Sequence, residues 1–286
     1  MIKVGIEDSL YRKLYGPEKG YETIKAIGYE CVDYQRFCYA DTALFDGSDA
    51  EFDAGVRQDR KLTEAAGLEV FQTHGPWRYP PRDGSPEERA ERFGKMAMAI
   101  RGTALLGCRR MVIHPIMPWG LGKQELRPLY EMNLEFMGRL AEEGRKNGVV
   151  VCLENMPFVD FPLSVPARCL ELARQINSPW LKLCLDTGHC TTHKVNPADA
   201  VRLIGKDMLQ ALHVHDNDGG SDQHRVPFVG VIDWEDFKNA LREIAFDGCV
   251  SLETAPPRNF PGKLRALQER SLYHSALLLA GREESL

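Results

Sequence analysis

The chain has 286 residues, 43% of them apolar, and a formal net charge of −5 spread along its length. That length suits one large domain or two ordinary ones, and the mixed, mildly acidic charge argues against a nucleic-acid partner. No apolar run approaches the ~20 residues of a membrane-spanning helix, no charged-then-apolar leader precedes the strand-like residues at Ile2, and the eight scattered cysteines include no C-x-x-C pair. A soluble, cytoplasmic protein with reduced thiols is expected.

Ile2-Lys-Val-Gly-Ile6 reads as a first strand, and Glu18 to Gly28 as a helix that ends on its glycine. Cys31-Val-Asp-Tyr34 is a second strand, followed by a helix over Ala54–Ala66 that stops at Gly67. Leu68 to His74 is a third strand, broken by Gly75-Pro76. Ser85-Pro86-Glu87-Glu88 is a strong helix start, with a capping serine, a proline in the first turn and then acids. The fourth strand is Arg110–His114, the fifth runs to Glu154, the sixth is Leu181–Asp186, the seventh ends at His213 or His215, and the eighth ends at Glu253. Helices are expected at Leu129–Lys146, Val165–Ile176, Pro197–Ile204, from Asp233-Trp234 onward, and at Lys263–Leu279.

Eight strand-then-helix units with strands apolar at most positions predict parallel strands covered on both faces, closed into a single (β/α)8 TIM barrel over residues 1–286. An open doubly wound sheet would more naturally carry a glycine-rich phosphate turn after its first strand, where this chain has Glu7-Asp8-Ser9.

In such a barrel all strand C-terminal ends meet at one face. His74, His114, Glu154, Asp186, His213 and Glu253 stand there, from the third to the eighth strand. Each alone has an ordinary explanation: an acid after a strand caps a helix, and a histidine satisfies a polar contact. Three acids and three histidines at six successive strand ends exceed what capping predicts. Carboxylate with imidazole suits a divalent metal, Mn first, with Mg, Co or Zn as alternatives. A 2+ ion also offsets the mutual repulsion of three crowded carboxylates. At the seventh strand His215 and Asp216 compete with His213 for the ligand position. His189, three residues past Asp186, is read as a substrate or metal contact. Asp222 and His224 lie in a polar loop and divide evenly between a solvated turn and ligands. Trp119 is a lid or a loop anchor, and Arg225 and His193 have weaker claims on the substrate.

The segments His74-Gly-Pro, Ile113-His114-Pro115, Leu153-Glu154-Asn155, Leu185-Asp186-Thr-Gly-His189, His213-Val-His-Asp216-Asn217, Ser221-Asp222-Gln-His224 and Leu252-Glu253 together resemble the xylose isomerase-like barrel superfamily of sugar (phosphate) isomerases and epimerases, which includes endonuclease IV. The resemblance covers nearly the whole chain. It implies a single metal held by Glu154, Asp186, His213 and Glu253, with the H-x-x-D pattern selecting His213 over His215. It implies a ketose or keto-polyol substrate that loses a proton next to its carbonyl through a metal-stabilised enediolate, with Glu154 and Glu253 as the acid/base pair. His189, His74, His114, Trp119 and Arg225 become the candidate substrate contacts. The resemblance also admits two alternatives. One is an inosose dehydratase. The other is an endonuclease IV-like zinc phosphoesterase with three metals, for which His74, His114, His189, Asp222 and His224 would be additional ligands. The expected partner is a small sugar or polyol, with no nucleic acid and no membrane; the oligomeric state stays open, a homo-oligomer included. No Arg/Lys-rich turn follows strands seven and eight, which points to an unphosphorylated substrate.

Overall fold

The computed structural model of the chain describes residues 1–80, 82–118, 125–257 and 259–282. Its strands are β1 (Lys3–Glu7), β2 (Cys31–Tyr34), β3 (Glu69–His74), β4 (Arg110–Ile113), β5 (Val150–Glu154), β6 (Leu181–Asp186), β7 (Leu209–His213) and β8 (Cys249–Leu252). All pairings are parallel, in the order β7-β6-β5-β4-β3-β2-β1-β8. The two ends meet just past β7, where Val214 N–H donates to Ser251 O at 2.9 Å and Glu253 N–H donates to Val214 O at 3.1 Å. The sheet is therefore a TIM barrel and not an open doubly wound sheet.

The helices follow from local signals. The helix α3 (Asp49–Ala65) begins five residues before the predicted Ala54, because Ser48 and Glu51 form a capping box. The same device with Pro86 starts α4 (Pro86–Leu105). In α5 (Leu126–Asn147) the chain stops at Gly148, whose φ of 69° closes the helix. Pro166 opens α6 (Pro166–Ile176), Asn196 caps α8 (Pro197–Ile204), Asp233 caps α9 (Trp234–Glu243), and α10 (Gly262–Leu279) closes the fold. Two helices depart from the sequence expectation. Ser9–Tyr15 forms α1, which buries Leu10 and Tyr11 and is separated from α2 (Pro17–Ile27) by Gly16. Thr187–Thr192 forms α7, so His189 sits on a helix and not in a loop. No helix among the described residues is long and apolar enough to cross a membrane.

Period-two alternation explains how the barrel aims its polar residues. Two residues before each of His114, Glu154, Asp186 and His213 stand Val112, Cys152, Cys184 and Ala211, which form one buried apolar cluster. Below them Cys31, Phe71 and Cys249 form another. The small apolar layer is the floor of the polar layer above it. Alternation holds through two register shifts. Pairing jumps from Val32↔Val70 to Asp33↔Gln72, leaving Phe71 extra, and from Leu183↔Leu209 to Cys184↔Ala211, leaving Gln210 extra. Each extra residue re-phases its strand, and His74 and His213 consequently share the interior face with Glu154 and Asp186.

Candidate metal centre and active-site cleft

Glu154, Asp186 and His213 are the last residues of β5, β6 and β7, and Glu253 follows β8 directly. These four present ligand atoms that all lie within 4.8 Å of one another. His213 Nδ1 is 2.9 Å from Glu154 Oε1 and 3.3 Å from Glu253 Oε2. Asp186 is fixed at its backbone by Asn155, whose side chain donates to Asp186 O at 3.0 Å and accepts from Asp186 N–H at 2.9 Å. Its carboxylate accepts from His189 N–H at 2.6 Å and lies 3.0 Å from His215 Nε2.

The donor set fits a divalent cation. Glu154 Oε2 and Glu253 Oε2 are buried without hydrogen-bond partners, a costly state for carboxylate oxygens unless a cation completes them. Glu154 Oε2 lies 3.1 Å from His114 Nε2 without hydrogen-bond geometry. Burial, reinforced by the charges of Glu154 and Asp186, pushes the Glu253 carboxyl up to about 8 against the pull of His213 and His224. Burial also opposes ionisation of Glu154, but His213 and His114 hold its pKa well below the usual carboxylate range. Burial disfavours charge on His213, and Glu253 and its other anionic neighbours outweigh it, holding the imidazolium well above its usual range.

The other histidines widen the site. His74 Nε2 and His114 Nε2 face each other at 3.1 Å. Burial and the neighbouring His114 press His74 down to about 4, and burial lowers His114 as well. Across the cleft, Asp222 Oδ2 lies 3.3 Å from His189 Nε2 and 3.2 Å from His224 Nε2. His189, His215, Asp222 and His224 form a second ligand-competent group, and His74, Glu154 and His213 a third. Burial opposes charge on His189, which Asp186 and Asp222 raise nonetheless to about 10. His215 stacks on His224 with centroids 4.1 Å apart. That ring explains the glycine of Asp186-Thr-Gly-His189: a Cβ on Gly188 would lie 2.0 Å from His215 Cε1.

Asp216 holds the loop that carries Asp222 and His224. Its buried carboxylate accepts from the N–H groups of Asn217, Gly230, Val231 and Ile232 at 2.9–3.3 Å, and from Trp234 Nε1 at 2.8 Å. Asp216→Ala leaves five donors without their acceptor, those of Asn217, Ile232 and Trp234 in buried positions, and thermal unfolding is expected to show a loss of about 3 kcal/mol or more. A loss under ~1 kcal/mol would mean the loop is held elsewhere.

The cleft above the carboxylates has a volume of about 540 Å³. Trp77, Tyr79 and Phe158 form a continuous aromatic wall, with centroids 5.7 Å apart for the first pair and 6.1 Å for the second, and Trp77 meets His114 edge-on at 5.0 Å. His74, His114, His189, Asp222 and His224 all line the cleft. Arg225 does not come to it: its guanidinium pairs with Asp218 at 3.2 Å. Trp119 lies outside the described residues. His193 bonds the Met156 carbonyl at 2.9 Å, a structural role.

Two acids outside the predicted set also belong to the site: Glu7, the last residue of β1, and Asp33, inside β2. Glu7 lines the cleft, braced by the backbone and hydroxyl of Ser9. Asp33 lies under His213, 2.8 Å from its Nε2. Glu7 directly follows the predicted first strand, Ile2–Ile6, and Asp33 lies within the predicted second, Cys31–Tyr34.

A family model described as Xylose isomerase-like TIM barrel matches residues 21–272. An uncharacterised protein of Methanocaldococcus jannaschii is 29% identical over 198 residues, 66% of this chain and 67% of that protein. The D-psicose 3-epimerase of Enterocloster bolteae is 30% identical over 132 residues, 46% of this chain and only 41% of the epimerase's own length. Among solved structures, the IOLI protein with a bound zinc atom superposes with a TM-score of 0.78 and 16% identity over 100% of both chains, a likeness of fold. A match that runs from α2 into α10, on a closed parallel barrel, makes this chain a member of the xylose isomerase-like TIM barrel family.

Proposed function

We propose that the protein is a divalent-metal-dependent sugar isomerase or epimerase acting on an unphosphorylated ketose, keto-inositol or related polyol. One observation carries the reading: two glutamates with unpartnered buried oxygens belong to a single four-residue ligand set. Glu154, Asp186, His213 and Glu253 hold the ion, with Mn2+ preferred for three hard carboxylates and one imidazole. A bound 2+ ion offsets the negative charge that develops on the substrate's oxygens as the adjacent carbon loses its proton. Glu154 and Glu253 act as the acid/base pair, one taking that proton and the other delivering one to the opposite face. His189, His74 and His114 engage substrate hydroxyls, and Trp77, Tyr79 and Phe158 cover the sugar's C–H face. The epimerase relative and the zinc atom of the IOLI protein support the assignment. All eight cysteines are buried and free, which fits a reducing cytoplasm.

The test is a panel of ketoses and inososes incubated with the protein in D2O with Mn2+, Co2+ or Mg2+. At least one sugar is expected to gain deuterium next to its carbonyl. No exchange across the panel, in protein shown to carry one ion, would overturn the reading. Loss of water from the product would redirect it to a dehydratase, which begins with the same proton abstraction. The two further ligand-competent groups favour a second reading, a zinc phosphoesterase. Metal stoichiometry separates the two: about one ion per chain supports the isomerase, three zinc ions the phosphoesterase.

A further inference from the structure

The histidines of the cleft are anchored in two different ways. His74, His189 and His224 each direct Nδ1 at a backbone carbonyl, those of Gly75 (2.9 Å), Asn155 (2.8 Å) and Glu253 (2.6 Å). A carbonyl only accepts, so Nδ1 carries the hydrogen and Nε2 faces the cleft. His213 is reversed. Its Nε2 lies 2.8 Å from Asp33 Oδ2 and its Nδ1 2.9 Å from Glu154 Oε1, so the metal-free ring donates at both nitrogens, and Nδ1, which also lies 3.3 Å from Glu253 Oε2, is the one that gives up its hydrogen among the proposed ligands.

We infer that Asp33 is the positioning residue of the metal centre: by accepting the Nε2 hydrogen of His213, it fixes the tautomer that offers Nδ1 to the cation. The inference rests on the metal-centre reading above and adds a residue to it. Asp33 belongs to β2, is 1% exposed, and is itself held, since Gln72 Nε2 donates to the same Oδ2 at 2.8 Å and to Leu212 O at 3.2 Å. The Gln72 contact depends on the register shift between β2 and β3, which pairs Asp33 directly with Gln72. Asp33 Oδ1 has no partner at all. A buried carboxylate with an orphan oxygen is poor core material, and service to His213 accounts for its presence. A carboxylate behind a ligating imidazole also raises the basicity of the ring, and removing such a partner typically costs 10–100-fold in metal affinity. Of these four histidines, His74, His189 and His224 keep a backbone carbonyl as anchor, whereas both ring nitrogens of His213 meet carboxylates, so His213 can be released by substituting its side-chain partner without disturbing the backbone.

The test titrates Mn2+ into metal-free wild type, Asp33→Ala and Asp33→Asn by calorimetry, with the melting temperature of each metal-free protein measured alongside. Asp33→Asn keeps an oxygen that can accept from both His213 and Gln72 but removes the charge. Expected is a roughly 10–100-fold weaker affinity in Asp33→Ala and a smaller loss in Asp33→Asn, with the metal-free melting temperature of Asp33→Asn close to that of wild type. Should Asp33→Ala fail to fold, Asp33→Asn carries the test by weaker binding at unchanged metal-free stability. Unchanged affinity in every variant that folds, with wild type binding one ion, overturns the positioning role and leaves the metal centre standing. A wild type that takes up no Mn2+ overturns the metal centre and this inference with it.

Discussion

Glu154→Gln and Glu253→Gln are each expected to abolish deuterium incorporation into a ketose substrate, a loss of at least about 10²–10⁴-fold, the usual contribution of a positioned acid or base. The expectation follows from where one small site places the two carboxyls. Glu154 lies against His213 and His114, which keep it ionised. Glu253 directly follows β8 and is only partly buried, but its Oε2 is sealed from solvent; that burial, with the nearby carboxylates, raises it to about 8. Both carboxyls belong to one ligand set, and each keeps an oxygen without a hydrogen-bond partner that can take or give a proton beside the substrate. Both residues are also proposed ligands, so the exchange assay is read with the metal content of each variant. Glutamine keeps a ligand oxygen but cannot move the proton. Metal retained with exchange lost supports the assignment. Exchange retained in both variants sinks the acid/base roles, and metal lost in both would assign the glutamates to binding alone.

Much of this site was legible in the sequence because a parallel barrel turns strand order into geometry. Once eight strands are counted, the strand-end positions of Glu154, Asp186, His213 and Glu253 bring them to one mouth, and no side-chain packing has to be known. What stayed hidden is what depends on phase and on short-range competition. Alternation alone puts His213 and His215 on one face, so the choice between them needed the family pattern; in the fold β7 ends at His213, which the register shift at Gln210 sets level with Asp186, while His215 lies beyond the strand and bonds Asp186 Oδ2. Helix α7 was invisible because six residues rich in threonine and glycine carry little helix propensity; Asp186 starts it by capping His189 N–H. Asp33 was hidden for a different reason. An acid inside a strand reads as a solvated edge residue until its partner, His213, 180 positions away in sequence, is seen beside it.

Cation affinity is expected to rise steeply with pH between 6 and 8. In the metal-free protein the Glu253 carboxyl titrates near 8, and its neighbours keep His213 protonated well above its usual range. Both positions must be free of protons to act as ligands. The sign follows. Below their pKa values protons compete with the metal, so each proton displaced weakens apparent binding tenfold for every unit the pH falls. One proton gives about 10²-fold between pH 8 and pH 6, and two give about 10⁴-fold. Above the higher pKa there is nothing left to displace and the curve flattens. Calorimetric titration of Mn2+ at pH 6, 7 and 8, in buffers of different ionisation enthalpy, counts the protons released directly. Glu253→Gln is expected to lower that count by one, because its amide carries no titrating proton. Because metal binds the folded chain alone, the same dependence should reach the melting temperature: the gain on adding Mn2+ should be large at pH 8 and small at pH 6. An affinity independent of pH over this range would mean that the four residues do not hold the ion.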